Sequence, residues 1–261
     1  MNDTDLFSIA GKSAVVTGGS SGIGRMIAAA YVRAGARTYI ASRKGDVCEQ
    51  VAAELSSHSS SGGECIPVPA NLSTEDGCRA LADAVSGREE SLDILVNNAG
   101  ATWGAPLGEH DTAAWSRVFD LNVAGVFHTT KFLVPLLQAA GTDDDPARVI
   151  NIGSIDGIQV PLMETYSYGA SKAAVHQLTR QLARHLAPTI TVNAIAPGPF
   201  QSKMMRATLN AFEDAIVASA PLKRIGRDDD MGGTAIFLAS RAASYITGAV
   251  LPVDGGIATC K

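Results

Sequence analysis

Short apolar strand patterns alternate with amphipathic helix patterns along almost all of this 261-residue chain. Strand patterns cover 12–17, 36–41, 64–69, 92–96, 147–152, 190–196 and 249–254. Helix patterns cover 22–34, 46–57, 73–86, 112–139, 166–186, 202–219 and 228–240. The alternation predicts a single α/β domain over 1–261, a doubly wound sheet of seven parallel strands joined by right-handed crossovers. With 46% hydrophobic residues, the chain can bury one large core.

A glycine-rich turn comes directly after the first strand pattern. Residues 17–24 read Thr-Gly-Gly-Ser-Ser-Gly-Ile-Gly and lead into the first helix pattern. Glycines let the chain turn sharply there and let its backbone approach a pyrophosphate, whose charge then faces the amide-rich start of the helix. The alternative is a glycine loop without a ligand, but the position between a strand and a helix favours a nucleotide site of the Rossmann type. The contacts expected from this turn come from Gly18, Ser20, Ser21, Gly22 and Ile23.

Polar residues stand at the ends of two further strand patterns. The pattern 92–96 runs into Asn-Asn-Ala-Gly at 97–100, and the pattern 147–152 is followed closely by Ser154. In open parallel sheets, ligands bind at the carboxyl ends of the strands. Asn97, Ser154 and the glycine turn should therefore converge on one crevice.

Tyr168 and Lys172 stand four residues apart in a helix pattern, so their side chains share one face. A free phenol has a pKa of ~10, and a neighbouring ammonium that stabilises the phenolate is the simplest way to tune it for acid-base work at neutral pH. The same spacing also occurs by chance on exposed helix faces. The glycine turn and the two polar strand ends favour the catalytic interpretation, in which Tyr168 enters the crevice from the helix.

In their order along the chain, these segments resemble those of the short-chain dehydrogenase/reductase family. The matching elements are the turn 17–24, Asn-Asn-Ala-Gly at 97–100, Asn122, Ser154, Tyr168 with Lys172, Pro-Gly at 197–198 and Val-Asp-Gly-Gly at 253–256. The resemblance spans the chain and is strongest to NADPH-dependent ketoreductases related to 3-oxoacyl-thioester reductases, including the branch assigned to rhamnolipid synthesis. It implies an NADP(H)-dependent oxidoreductase that acts on a small-molecule ketone or alcohol.

The resemblance also implies a catalytic set of Asn122, Ser154, Tyr168 and Lys172. NADPH would deliver hydride to a carbonyl carbon while Ser154 hydrogen-bonds the carbonyl oxygen and Tyr168 donates a proton to it. Lys172 would favour the phenolate and hold the nicotinamide ribose. Asn122 would hold a water that links Lys172 to solvent, or would only satisfy a bend in the helix 112–139. The further cofactor contacts that the resemblance implies are Ser42, Arg43, Asn71, Leu72, Asn98, Ala99, Gly100, Tyr168, Lys172, Pro197 and Gly198.

The residues after the second strand pattern indicate the choice of cofactor. NAD enzymes usually place an acidic residue there to hold the ribose hydroxyls, whereas this chain has Ser42 and Arg43. Serine leaves space and a guanidinium can pair with a 2′-phosphate, so NADPH is favoured over NAD as the cofactor. The alternative is that Arg43 is a solvated surface residue that binds no ligand. Two positions depart from the family pattern: Ser21 replaces a basic residue common in NADP-using relatives, and Asn71 replaces an aspartate that binds adenine. An amide oxygen can still accept that hydrogen bond.

Two departures concern the substrate side of the site. The Ser154–Tyr168 interval is fourteen positions instead of the usual thirteen, and Tyr166 has Ala170 instead of a lysine four residues on. Tyr168 is therefore the preferred catalytic tyrosine, and the extra residue should lie in a loop, 155–165, that borders the substrate.

Two further positions bear on the acyl carrier. Pro135 and Thr189 stand where arginines are expected in reductases that grip an acyl carrier protein. Their absence favours a free, CoA-linked or other apolar ketone.

An apolar segment follows Pro-Gly at 197–198. Its helix pattern, 202–219, could close over an apolar ligand or could pack as an ordinary helix. The apolar residues concerned are Phe200, Met204, Met205, Leu209 and Phe212, and further candidates for pocket walls are Trp103, Met163 and Tyr166.

Composition argues against several other classes of protein. The net charge is -5 and no basic stripe occurs, which argues against nucleic acid and anionic membranes as partners. No apolar run reaches the ~18 residues of a membrane helix, and residues 1–10 carry Asp3 and Asp5 instead of a basic, apolar signal. The four cysteines and five histidines show no metal-ligand spacing. Reduced thiols, a cytoplasmic location and no metal are expected.

Two expectations concern assembly and function. The family usually pairs the helices corresponding to 112–139 and 166–186, and uses the segment corresponding to 253–261 at a second interface, so a homotetramer is expected.

The alternative to an enzyme is a sensor or scaffold protein that binds NADPH without turnover. The intact set of Ser154, Tyr168 and Lys172 argues against this alternative.

Overall fold

Seven parallel strands form one sheet in the computed structural model, which describes residues 6–161 and 163–260. The strands are β1 (Ser13–Thr17), β2 (Arg37–Ser42), β3 (Glu64–Pro69), β4 (Ile94–Asn97), β5 (Ala147–Ile152), β6 (Ile190–Pro197) and β7 (Val250–Val253). Their order is β3-β2-β1-β4-β5-β6-β7, which confirms the predicted doubly wound parallel sheet. Asp3 and Asp5, and Lys261 at the end of the expected interface segment, lie outside the described residues.

Helices cover both faces of this sheet. The described helices are α1 (Gly22–Arg33), α2 (Gly45–Ser57), α3 (Glu75–Ser86), α4 (Thr112–Phe119), α5 (Gly125–Ala140), α6 (Tyr166–Leu186), α7 (Arg206–Ser219) and α8 (Asp228–Ala239). Polar residues set two of their starts: Thr74 Oγ1 accepts from Gly77 N before α3, and Asp111 Oδ1 accepts from Ala114 N before α4. Of the described helices, none has both the length and the apolar character needed to cross a membrane.

Two predicted helices differ from the structure. The pattern 112–139 forms α4 and α5 with a π-helical turn, Asp120–Ala124, between them. A π turn inserts one extra residue into the helical repeat and often marks a functional position. The pattern 202–219 becomes helical only at Arg206, because Ser202 Oγ accepts a hydrogen bond from Met205 N and the preceding residues form a turn.

The core has two layers, one on each face of the sheet. Val16 of β1 packs in a cluster with Ile27 of α1 and Leu238 of α8, whereas Val15 packs in a second cluster with Leu133 of α5. Neighbouring residues of a strand point to opposite faces, so a strand covered on both sides is apolar throughout. The strand order reverses between β1 and β4, which opens a crevice at their carboxyl ends.

Candidate active site

The turn between β1 and α1 has a backbone that favours glycine. Gly18 and Gly22 have φ angles of 66° and 52°, in the left-handed region where side chains are strained. A Cβ on Gly18 would lie 2.8 Å from Asn98 Nδ2, and a Cβ on Gly24 would overlap the carbonyl oxygen of Gly18. Ser21, the residue before α1, makes no capping hydrogen bond with its side chain. The first amide groups of α1 can therefore bind an anion, and the turn fits the diphosphate of a dinucleotide.

Thr17 joins this turn to the end of β4. Its Oγ1 accepts hydrogen bonds from Asn98 N at 2.8 Å and Ala99 N at 3.0 Å, and it donates to Val96 O at 3.2 Å. Asn98 Nδ2 returns a bond to Thr17 O at 2.8 Å. The sequence analysis did not identify Thr17 as a site residue, although it is the first residue of the glycine motif. Its hydroxyl fixes the two strand ends that border the crevice.

Residues after β2 and β3 form the region expected to bind the adenosine end. Arg43 is exposed and forms no ion pair with the described carboxylates, so its guanidinium can reach a phosphate. Asn71 Oδ1 already accepts two hydrogen bonds from Ser73, at 2.9 and 3.4 Å. An adenine amino group would therefore compete with Ser73 for the same oxygen. Leu72 and Ala99 line one small cavity close to Thr17.

Two residues of the expected catalytic set, Asn122 and Lys172, lie beside Gly100. A Cβ on Gly100 would lie 3.3 Å from Asn122 Oδ1 and 3.7 Å from Lys172 Nζ. Lys172 Nζ donates to Ile152 O at 2.7 Å, which holds the amine at the end of β5, two residues before Ser154. The same nitrogen lies 5.6 Å from the centre of the Tyr168 ring.

Burial controls the ionisation of the Tyr168–Lys172 pair. It raises the pKa of Tyr168 from 10.0 to about 12, an effect that the Ser154 hydroxyl opposes and the charge of Asp156 increases. Burial lowers the pKa of Lys172 from 10.5 to about 8. The sequence predicted a lowered phenol pKa, whereas burial, the largest cause, raises the pKa of Tyr168 in this structure. At neutral pH the pair is a neutral phenol beside a protonated amine, which suits a proton donor.

Asn122 lies at the centre of the π turn and is 1% exposed. Its Nδ2 donates to Ala101 O and to Ser171 Oγ, both at 2.9 Å, and its Oδ1 accepts from Ala101 N at 2.7 Å. The amide thus connects the loop after β4 to α6, the helix of Tyr168 and Lys172. The π turn and these contacts between elements therefore occur at the same residue.

His176 is a buried residue beside the catalytic set that the sequence analysis did not identify. It lies one turn after Lys172 on α6, and a Cβ on Gly153 would overlap its Nε2. A Cβ on Gly157 would lie 2.8 Å from its Cε1. Burial and the charge of Lys172 lower the pKa of His176 to about 4, so the ring is neutral. Gly153 and Gly157, on either side of Ser154, therefore allow the loop of Ser154 to pack against this imidazole. The signal in the sequence that could have indicated His176 is its position four residues after Lys172.

The segment after β6 returns to the glycine turn. Gly198 N donates to Val253 O at 3.0 Å, and a Cβ on Gly198 would lie 2.8 Å from the Cα of Asp254. Ser202, which the sequence analysis missed, would lie 3.1 Å from a Cβ on Gly22. The segment that follows the Pro-Gly motif thus contacts the glycine turn.

The apolar residues expected near the substrate fall into two groups. Phe200 and Leu209 are core residues, 1% and 2% exposed, as ordinary packing of the segment requires. The other expected residues are exposed or, for Met205, half-buried: Trp103, Met163, Tyr166, Met204, Met205 and Phe212. The loop 155–165 contains a short 3-10 helix, Ile155–Gly157, and its residue 162 lies outside the described part of the chain.

This chain is similar to known proteins in both sequence and fold. The family model described as enoyl-(acyl carrier protein) reductase matches residues 18–258. A rhamnolipids biosynthesis 3-oxoacyl-[acyl-carrier-protein] reductase of Pseudomonas aeruginosa is 47% identical over 96% of this chain and 97% of its own.

Two solved structures are similar throughout. The Pseudomonas aeruginosa RhlG/NADP active-site complex has a TM-score of 0.92 at 47% identity, over 97% of this chain and 99% of that one. A gluconate 5-dehydrogenase from Burkholderia cenocepacia, in complex with NADP and tartrate, has a TM-score of 0.89 at 31% identity, over 97% of both chains.

The fold, with its glycine turn after β1 and the Tyr168–Lys172 pair on α6, is that of a Rossmann-type oxidoreductase. The extent of the sequence match then settles the family. This chain belongs to the short-chain dehydrogenase/reductase family.

Proposed function

We propose that this protein is an NADPH-dependent ketoreductase in which Ser154, Tyr168 and Lys172 carry out the acid-base steps. One observation carries the proposal: the buried amine of Lys172 lies between the end of β5, the Tyr168 ring and Gly100. These groups border the crevice into which the glycine turn opens. Burying an amine costs stability, and a protein that only sensed NADPH would have no need of a phenol beside it.

The hydrogen bonds of the site define what each residue does. Bound NADPH would supply the hydride that reduces the carbonyl carbon. Ser154 Oγ accepts from Asp156 N at 3.1 Å, so its own proton can be donated to the carbonyl oxygen. Tyr168, neutral at pH 7, then gives its proton to the same oxygen as negative charge develops. Lys172 uses one N–H on Ile152 O and keeps two donors for the cofactor ribose and for the tyrosine oxygen.

The cofactor is proposed to be NADP(H), held by the glycine turn, Ser42 and Arg43 at one end and by Lys172 at the other. Support comes from the exposed Arg43, free of carboxylate partners in the described chain, and from two similar proteins whose structures contain NADP. No metal takes part in the proposed steps.

The substrate is proposed to be an apolar ketone, including 3-oxoacyl thioesters. The 47% identical relative is described as a 3-oxoacyl-[acyl-carrier-protein] reductase. Pro135 lies in α5, and neither it nor Thr189 supplies the positive charge expected to bind an acidic carrier protein. We therefore propose a free or CoA-linked acyl chain instead of one bound to a carrier protein.

The test is a panel of ketones and 3-oxoacyl thioesters with NADPH and NADH. Tyr168→Phe removes only the proton donor, and we expect a loss of kcat of at least ~100-fold. Tyr245→Phe is the matched control, because Tyr245 is fully exposed and should leave the rate unchanged. An undiminished rate in Tyr168→Phe would refute the assignment, and tight NADPH binding without turnover of any carbonyl would support a sensor.

We also propose a homotetramer in the cytoplasm. Trp115 of α4 and Phe127 of α5 are large aromatic residues that stay 39% and 43% exposed, on helices that the family uses for pairing. The cysteines are free thiols, as a reducing compartment requires. Light scattering at the mass of a monomer, or recovery of the protein outside the cytoplasmic fraction, would contradict these points.

A further inference from the structure

Two loops that begin close to residues of the expected catalytic set contact each other. The first, 101–110, follows β4 and is fixed at its start by the bonds between Ala101 and Asn122. The second, 158–161 with 163–165, follows Ser154 and leads into α6. Its Pro161 packs on the first turn of α6, since a Cβ on Gly169 would lie 3.4 Å from Pro161 Cγ. The first loop therefore begins directly after Gly100, and the second ends at the start of α6, which carries Tyr168.

His110 joins the two loops through its imidazole. Its Nε2 lies 3.0 Å from Ala105 O, in its own loop, and 3.2 Å from Glu164 O, in the other. Both partners are carbonyl oxygens, so Nε2 carries the proton and donates to both. Ala105 N also donates to Glu164 O at 3.2 Å. The carbonyl of Glu164 thus accepts from two groups of the opposite loop.

Tyr166 completes this connection from the start of α6. The edge of one ring meets the face of the other between His110 and Tyr166, with centroids 5.0 Å apart and planes at 85°. The Tyr166 hydroxyl donates to Glu164 Oε1 at 3.1 Å. Gly104 and Thr165 are in contact as well, because a Cβ on Gly104 would lie 3.3 Å from Thr165 Cγ2.

We propose that His110, Glu164 and Tyr166 form a loop clasp that fixes one wall of the substrate crevice and thereby sets selectivity for ketones with long apolar chains. The clasp holds Trp103 in one loop and Met163 in the other, and both side chains are exposed. An apolar chain that contacts a preformed wall does not have to order two loops when it binds. A short ketone reaches only the catalytic groups, so it gains nothing from the wall. This inference rests on the proposed ketoreductase function.

Selectivity is measured as the ratio of kcat/KM between long and short unbranched methyl ketones with NADPH. His110→Ala removes both imidazole hydrogen bonds and the ring contact, and we expect this ratio to fall about tenfold, mainly through KM of the long ketone. His110→Gln keeps a side-chain N–H donor and should recover part of the ratio. Tyr166→Phe keeps the ring and loses only the bond to Glu164, so its effect should be smaller. KM for NADPH and kcat for the shortest ketone should not change.

A second measurement tests the clasp independently of turnover. Hydrogen exchange in His110→Ala should increase in the loop before α6 as well as in 101–110, although the substitution lies only in the latter. An unchanged selectivity ratio, or equal losses for long and short ketones, would overturn the selectivity role. Unchanged exchange in the loop before α6 would overturn the clasp itself. If the wild-type protein reduces no ketone, the proposed function and the selectivity role both fail, while exchange still decides whether the clasp exists.

Discussion

Replacing Lys172 by methionine should stabilise the protein by an amount that depends on pH. The side chain of Lys172 is buried, and burial lowers its pKa from 10.5 to about 8. Methionine fills a similar volume without a charge to desolvate. The same substitution removes a group of the proposed catalytic set, so stability and activity should change in opposite directions.

The pH dependence follows from proton binding in the two states. Between pH 8 and 10.5 the unfolded chain keeps a proton on Lys172 that the folded protein has lost, so the wild-type free energy of unfolding rises with pH through this window. From pH 7 to pH 10 the two pKa values correspond to a gain of roughly 2–3 kcal/mol. The methionine variant lacks this titration. Its stability advantage over the wild type should therefore be larger at pH 7 than at pH 10 by about 2–3 kcal/mol.

Urea unfolding of both proteins at equal concentration, at pH 7 and pH 10, measures this difference of differences. Titrating groups that do not contact Lys172 contribute equally to both proteins and cancel, as does the constant effect of exchanging an amine for a thioether. His176, whose pKa the charge of Lys172 lowers to about 4, is neutral in the folded protein throughout this pH range. The methionine variant also loses the hydrogen bond from Lys172 Nζ to Ile152 O, which makes its stability advantage smaller. The strength of this bond changes with pH only when Lys172 itself titrates. An advantage equal at the two pH values would refute the conclusion that burial depresses the pKa of this amine.

Two further substitutions test the cofactor site and the support of Ser154. Arg43→Ala should raise KM for NADPH by roughly ten- to a hundredfold and leave KM for NADH unchanged, because only NADPH offers a phosphate to the exposed guanidinium. Lys44→Ala is the neighbouring-cation control, and equal effects on both cofactors would count against the assignment. Gly153→Ala should destabilise the protein by about 1–3 kcal/mol, since the new Cβ would overlap His176 Nε2. His176→Ala in the same chain should restore part of that loss in a double-mutant cycle, and strictly additive effects would contradict the contact.

The parts of the fold and site that the sequence predicted are those determined by local patterns. Residues 13–17 of β1 are apolar apart from two hydroxyl residues, and the glycine turn follows at once, so strand, turn and helix could be located from neighbouring residues alone. Tyr168 and Lys172 share a helix face because of the 3.6-residue repeat, whatever surrounds the helix. The polar strand ends were placed together because parallel strands bring their carboxyl ends to one edge of the sheet.

Predictions that depended on distant contacts were incomplete. The pattern 112–139 fits one helix, and the π turn at Asn122 forms where its amide bonds Ala101 and Ser171 in other elements. The direction of the Tyr168 pKa shift depends on how deeply the phenol is buried, which the spacing of tyrosine and lysine does not encode. Asn71 was expected to offer its oxygen to adenine, and the structure turns that oxygen toward Ser73.

The amino-acid sequence by itself determined the order of strands and helices, the dinucleotide turn and the candidate acid-base pair, because each depends on residues a few positions apart. Tertiary structure alone brought His110 to Glu164, fifty-four positions away, and placed the buried His176 against Gly153. These contacts form only when the sheet and its helices have packed, since their geometry is set by the positions of whole elements. The candidate catalytic groups could thus be proposed from local spacing, whereas their ionisation and the contacts between the loops around them are properties of the packed fold.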